Sequence, residues 1–514
     1  MRAETLTRIK KALADQLAGL MEYRPSGAAR WIAAGWIGLL FVGGGVTWYH
    51  FLNGGAIDFS RHDWTETAHR YAFLQDAASK GTLPLHMPGF WALRNVTDRF
   101  VSIADTNLSP QVYLLRFVQL GQFFLINTLF LYAAGFIGLL LLRRRFRLSP
   151  FAFTLLFLLL FFGGHIATHL SVGHAHWASY FLVPYFLYLI FDAIDGPRHP
   201  WRWILYLSVY MFVIFLQGAF HLLVASVFLC GLVALAYPER LGLLVRGVVF
   251  SLCLSSIRIL PPLLHASDFD TAFLSGFTTV GELFEGLGRL VPPRPELVSG
   301  NNPASPLGWW ELNYFVGAIG LAYIGFFGIY WWLKSSQATG GYRKLLLPIA
   351  VMTAFSVGMT FNLFHLLQIP LLSSQRVSSR LLYLPLSILI VLATVALQRF
   401  LDRRGVKAAG GIALALGAGL LAQDLWKHLN LWQVANMVNM FESNPLDLSL
   451  DVAANHADPP YFTVLGLGLW MSLATILVLT FLVRREGRRN PTRSGKGGEP
   501  VGTAAAQDPR LVEP

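Results

Sequence analysis

The residues best suited to chemistry lie between the apolar runs. Asp63 and Glu66 open the stretch "DWTETAHRYAFLQDAASKGTLPLHMPG", with Asp58 just before it in a Gly-rich connector. A carboxylate fixed at a helix start can accept a proton from a hydroxyl group, and the positive helix end lowers its pKa and keeps it ionised. The same Asp-x-x-Glu spacing fits a capping box, in which Asp63 caps the helix and Glu66 reaches back. Both readings stand, and all three acids are candidates for the base. Arg376 and Arg380 are four apart, on one face of a helix, and suit either bidentate phosphate binding or anchoring at headgroups. Arg258, before the "LPP" break, is a further candidate for the phosphate task. His174 and His176 flank the short outer turn after the third span, beside Gly173 and Trp177, where they can bond hydroxyls. No carboxylate or cysteine stands near them in the chain, so no metal site is expected. Glu311 follows Trp309 and Trp310, and an acid beside aromatic faces suits a hydroxyl-bearing ring or an interfacial belt. Trp64 is placed to roof the site of Asp63.

The elements that position these residues are helices in lipid. The 514-residue chain is 54% hydrophobic and 13% charged, more apolar than a soluble domain can hide. Apolar runs fall at roughly 31–52, 112–142, 150–171, 178–194, 202–217, 219–237, 244–260, 312–333, 345–366, 380–400, 408–426 and 461–483. The expected fold is therefore an all-α polytopic membrane protein with about 12 transmembrane helices over 31–483. The net charge of +12 resides largely in the N-terminal segment and in "RRRFR", "DGPRHPWR", "PERLGLLVR", "KSSQATGGYRK", "DRRGVK" and "RREGRRNPTR". The positive-inside rule puts all of these, and both termini, in the cytoplasm. The long loops 53–111, 261–311 and 427–460 then face outward. Residues 1–30 read as a cytoplasmic amphipathic segment and 484–514 as a disordered cytoplasmic tail. The segment 64–80 reads as a short amphipathic helix of the first loop, resting on the membrane surface and stopped by Gly81. Cys230 and Cys253 sit in apolar runs as packing residues, and no basic soluble face suited to nucleic acid is visible.

Several stretches together carry a resemblance. Asp63-Trp64, "GTLPLHMP", Gly173-His174, Trp309–Glu311 and Arg376/Arg380 occur in an order, and at places relative to the apolar runs, similar to the GT-C class of integral-membrane glycosyltransferases. The chain most resembles the bacterial YfhO-like branch, over roughly residues 30–400. It departs from that branch in having Thr65 where relatives often have a second acid, and "HMP" where their turn reads "WNP".

The resemblance implies a polyprenyl-phosphate-linked sugar as donor and a glycan, lipid or protein acceptor at the outer face of the bacterial inner membrane. It also implies inversion at the anomeric carbon and no required metal or other cofactor. Asp63, with Glu66 in support, would be the base, and Arg376, Arg380 and Arg258 would bind the donor phosphate. His174, His176, Glu311, Trp309 and Trp64 would contact sugar or acceptor. A flippase for a lipid-linked glycan would instead carry basic residues at mid-depth, and an O-antigen ligase or polymerase its key arginines in a large late loop. The richest loop here is the first.

Overall fold

The computed structural model describes residues 19–23, 27–90, 96–265, 276–292, 307–334, 340–365, 375–404, 408–437 and 440–489. Most of the N-terminal segment, most of the tail and parts of the loop 261–311 therefore lie outside the described residues. Helices make up the framework, and pairing between extended segments is limited to isolated bridges among the described residues.

Among the described residues, six helices are long and apolar enough to cross a membrane: Ala29–Phe51, Leu120–Phe146, Pro150–Ser171, Ala175–Asp195, Ser378–Arg403 and Pro459–Arg488. A seventh crossing is possible if Phe220–Ala236 and Pro238–Leu254, bent by 120° at Tyr237, count as one. Other apolar runs are shorter or interrupted. Pro200–Leu216 has 17 residues. The run at 312–333 starts as a regular helix at Gly317–Tyr323, widens to a π-helix over Ile324–Tyr330 and tightens again at Trp331–Lys334. The run at 345–366 breaks at Val357, whose backbone is extended, into Leu346–Ser356 and Gly358–His365. Ala408–Leu431 forms a further 24-residue helix.

The basic segments meet one another. Arg145 pairs with Asp192 at 3.0 Å and Asp195 at 2.5 Å, Tyr342 donates to Asp195 at 2.7 Å, and Lys344 lies 3.7 Å from Glu239.

The helix Trp64–Lys80 departs from the surface position expected for it. Its Trp64, Ala68, His69, Tyr71, Phe73, Leu74 and Ala77 are all buried. Tyr71 packs on Phe123 and Phe73 on Phe100. On its other side the last long loop covers it, with His69 2.6 Å from Asp451 and the Ala453 amide donating to Asp76. That cover explains why its polar and apolar residues do not divide into two clean faces. The helix stops as expected at Gly81, whose φ of +67° lets the amides of Gly81 and Thr82 return to Ala78 and Ala77.

The last loop runs beside the first for most of its length. Arg61 donates to the Phe441 carbonyl, Asn444 to the Ser60 carbonyl, and the His86 amide to Asn455 Oδ1. At the far end of this seam, Arg99 grips both oxygens of Asp458.

Candidate active site

A cavity of about 350 Å³ collects side chains from six separate parts of the chain. Its walls carry Asp63, Glu66 and Arg70 from the first long helix of the loop, Asp105, the His174–Trp177 turn, Gln217 and His221. Trp310, Glu311, Arg376 and Arg380 close it. The volume is within the roughly 300–1,000 Å³ usual for small-molecule sites. Four carboxylates face three guanidinium groups around it, so the wall is strongly polar with nearly balanced charge.

Asp63 holds the N-cap position of the Trp64–Lys80 helix, but its side chain makes no cap hydrogen bond. Its Oδ2 accepts instead from Nε2 of His174 at 2.7 Å. Glu66 likewise does not reach back; it pairs with Arg70 one turn on, and Arg70 donates to Asp105 at 3.1 Å. The capping box expected from Asp-x-x-Glu is therefore absent, because each acid has a stronger charged or imidazole partner. Asp58 is tied to Ser60 and Arg61 and lies off the cavity wall.

The acid and its imidazole are brought together by close backbone contact. Gly173 has φ +103°, and a Cβ there would come within 2.3 Å of the Trp64 amide nitrogen. Thr67 donates to the Gly173 carbonyl at 2.7 Å and the Trp64 indole to the Ser171 carbonyl at 2.9 Å. These bonds lock the start of the helix against the histidine turn.

From Asp63 a line of polar groups runs inward. His174 Nδ1 lies 2.7 Å from Nδ1 of His169, so one of the two imidazoles donates to the other. His169 Nε2 comes within 3.6 Å of Glu311. Glu311 in turn accepts two hydrogen bonds from Arg380, Nε to Oε2 at 2.8 Å and Nη2 to Oε1. The Arg380 guanidinium also stands 4.9 Å above the Trp177 ring, a planar contact that lysine could not reproduce.

Burial opposes the charge on Asp63. The His174 hydrogen bond and the nearby His62, His174 and Arg380 outweigh it, and the carboxyl is lowered to about 2. Its side chain remains 43% exposed, and Oδ1 has no side-chain partner among the described residues. Asp63 is thus an ionised acid with one oxygen open to the cavity. Asp105 is also held below the usual carboxylate range, since Arg70 overcomes the cost of its burial.

The candidates from the sequence separate into two groups. Asp63, Glu66, His174, His176, Glu311, Arg376 and Arg380 share the cavity wall. Trp64, Trp309 and Arg258 do not. Trp64 and Trp309 are buried, and Trp310 takes the wall position beside Glu311. Arg258 is buried with its guanidinium donating to the carbonyls of Val101, Ile103, Ala104 and Thr106, away from the cavity. It shapes the 101–106 segment, which carries Asp105. Arg70, Asp105, His169, Gln217 and His221 were not legible as site residues. Arg70 reads as an ordinary polar residue of a helix, and only its fold-dependent pairing with Asp105 marks it.

His169, His174 and Glu311 each offer a ligand atom within 4.8 Å of the others. The fold thus supplies from 137 positions away the carboxylate that the sequence near His174 lacks. Both Glu311 oxygens are engaged by Arg380, so a cation taking one of them would have to break part of that contact. No family model matches the chain, and none of the curated proteins matches it.

Proposed function

We propose that the chain is a GT-C-like, twelve-span membrane glycosyltransferase that moves a sugar from a polyprenyl-phosphate donor to a glycan, lipid or protein acceptor. The observation that carries this reading is Asp63: ionised, oriented by His174 and open on one oxygen to a polar cavity that also holds Arg376 and Arg380.

The acceptor hydroxyl oxygen attacks the anomeric carbon from the side opposite the phosphate. The bond from that carbon to the phosphate oxygen breaks, and the electron pair leaves with the lipid phosphate. Oδ1 of Asp63 takes the hydroxyl proton. An acid with so low a pKa is a weak base toward a free alcohol. It suffices here because the attacking oxygen becomes strongly acidic only as its bond to the electron-poor carbon forms. The leaving phosphate needs fixed positive charge. Arg376 is the candidate for first contact, and Arg380 would follow by exchanging one Glu311 oxygen for a phosphate oxygen. Trp310 and Glu311 offer a ring face and hydroxyl acceptors for the sugar. Because a monophosphate leaving group carries modest charge, the two arginines serve without a metal.

The test is to incubate membranes containing the chain with a panel of radiolabelled polyprenyl-phosphate sugars and follow the label. Transfer of one sugar, abolished by Asp63→Asn in protein that still binds donor, supports the reading. Equal transfer by that variant, or movement of intact lipid-linked sugar across the membrane without transfer, overturns it.

A further inference from the structure

We propose that His86, Asp98 and His456 form a site for a divalent transition-metal ion of the zinc class, clamping the first long loop to the last. One ligand atom from each residue lies within 4.8 Å of the other two. None of the three lines the cavity, so the site is separate from the chemistry proposed above.

His86 provides the first reason. It is fully buried, and neither ring nitrogen has a hydrogen-bond partner among the described residues. Asp458 Oδ2 stands 3.5 Å from Nε2, too far for a good hydrogen bond. A buried imidazole without a partner is costly and calls for an explanation.

His456 provides the second. Its Nδ1 is 3.3 Å from the Ala457 carbonyl, an acceptor that can pair only with an N–H. That contact places hydrogen on Nδ1 and turns Nε2 toward Asp98 Oδ2, 2.7 Å away. Histidine ligands of metals commonly have this arrangement, with one nitrogen donating to a carbonyl and the other directed at the ion. Without an ion, a proton on Nε2 bridges His456 and Asp98; a cation would replace that proton. The two imidazoles are stacked closely, with ring centres 4.0 Å apart and planes tilted by 32°.

The backbone is set before any ion arrives. His86 and Arg99 form an isolated bridge, with Met87 donating to the Asp98 carbonyl and Phe100 to Leu85, each at 2.8 Å. From the last loop, Asn455 accepts from the His86 amide and Ala454 donates to the His86 carbonyl. Arg99, bridged to His86 and next to Asp98 in the chain, is a positive group that would repel a cation. Both oxygens of Asp458 hold it, which offsets its charge locally.

Two imidazoles and one carboxylate favour zinc over calcium or magnesium, which prefer all-oxygen sets. Three protein ligands leave a fourth position for water.

The full-length chain in detergent would be stripped with a chelator, equilibrated with zinc, desalted and assayed for metal by plasma emission. Wild type should retain about one zinc per chain. His456→Ala and Asp98→Asn should each lose it, while His169→Ala, which alters the cavity cluster, should retain it. Zinc should also raise the melting temperature of wild type but not of His456→Ala. His456 is exposed, so its replacement tests the ligand without opening the core. Zinc absent from wild type, unchanged in His456→Ala or lost only in His169→Ala would each overturn the proposal.

Discussion

Along the first long loop, away from the cavity, charged groups close on the protein itself. Arg258 donates to four backbone carbonyls, and Arg99 holds both oxygens of Asp458. Around the cavity, residues of the same types are left partly open. Asp63 gives one oxygen to His174 and keeps 43% of its side chain exposed. The difference shows that residue type alone does not mark a reactive group. Where hydrogen bonds close on the chain, the residue holds the fold; where they stop short, it can meet a reactant.

The largest effect should come from a residue of the closed kind. Arg258→Met takes a donor from three buried carbonyls and a part-buried one and should destabilise the protein by about 3 kcal/mol or more. Thermal melting would read the loss, with donor KM unchanged in the protein that remains folded. A raised KM at normal stability would erase the distinction between closed groups and cavity groups.

Asp63→Asn should behave in the opposite way. Transfer should fall by roughly two decades, or about 2.7 kcal/mol of barrier. The melting temperature should fall only modestly, because Asp63 makes no side-chain cap bond to lose and what goes is the charge held by His174. Initial rates and melting curves from one detergent preparation would check both parts.

A smaller change is expected of Arg376→Lys, which keeps charge at the cavity wall and loses the planar fork. Donor KM should rise roughly tenfold, about 1.4 kcal/mol. Equal KM values would make Arg376 an anchor.

The smallest effect is a displacement in pH. The folded pKa of Asp63 is depressed to about 2. Its charge therefore favours the folded state above its ordinary value near 3.8, and that contribution fades as pH falls toward 2. Transfer should show no acid limb from Asp63 between about pH 5 and 8. His174→Gln removes the main hydrogen bond that lowers the pKa, so the limb should move to higher pH. A full pH–rate profile of both proteins would show it.

The helical membrane character of the chain, the helix over 64–80 with its stop at Gly81, and a shared location for Asp63, His174, Glu311, Arg376 and Arg380 could all be read from the sequence. Hydropathy could not reveal the break at Val357 or the π-helix at Ile324–Tyr330, because it counts apolar content and ignores backbone path. Partners were also hidden. The imidazole for Asp63 is 111 positions away, whereas the nearby Asp-x-x-Glu pattern favours a local cap. Trp309 and Trp310 are adjacent and chemically identical, and only packing decides which reaches the wall. Arg258 and Arg376 likewise differ in what surrounds them and not in type.

The distance between Asp63 and His174 is set by neither side chain. It is a clearance, fixed by how nearly the chain at Gly173 touches the Trp64 amide. A single methyl group at residue 173 acts as a shim, widening the gap while leaving acid and imidazole unaltered. Lengthening the acid itself, as in Asp63→Glu, meets a spacing already taken up by backbone. A wish to retune this pair, for a bulkier acceptor or a different proton affinity, is therefore better directed at how the two segments approach than at the reacting groups.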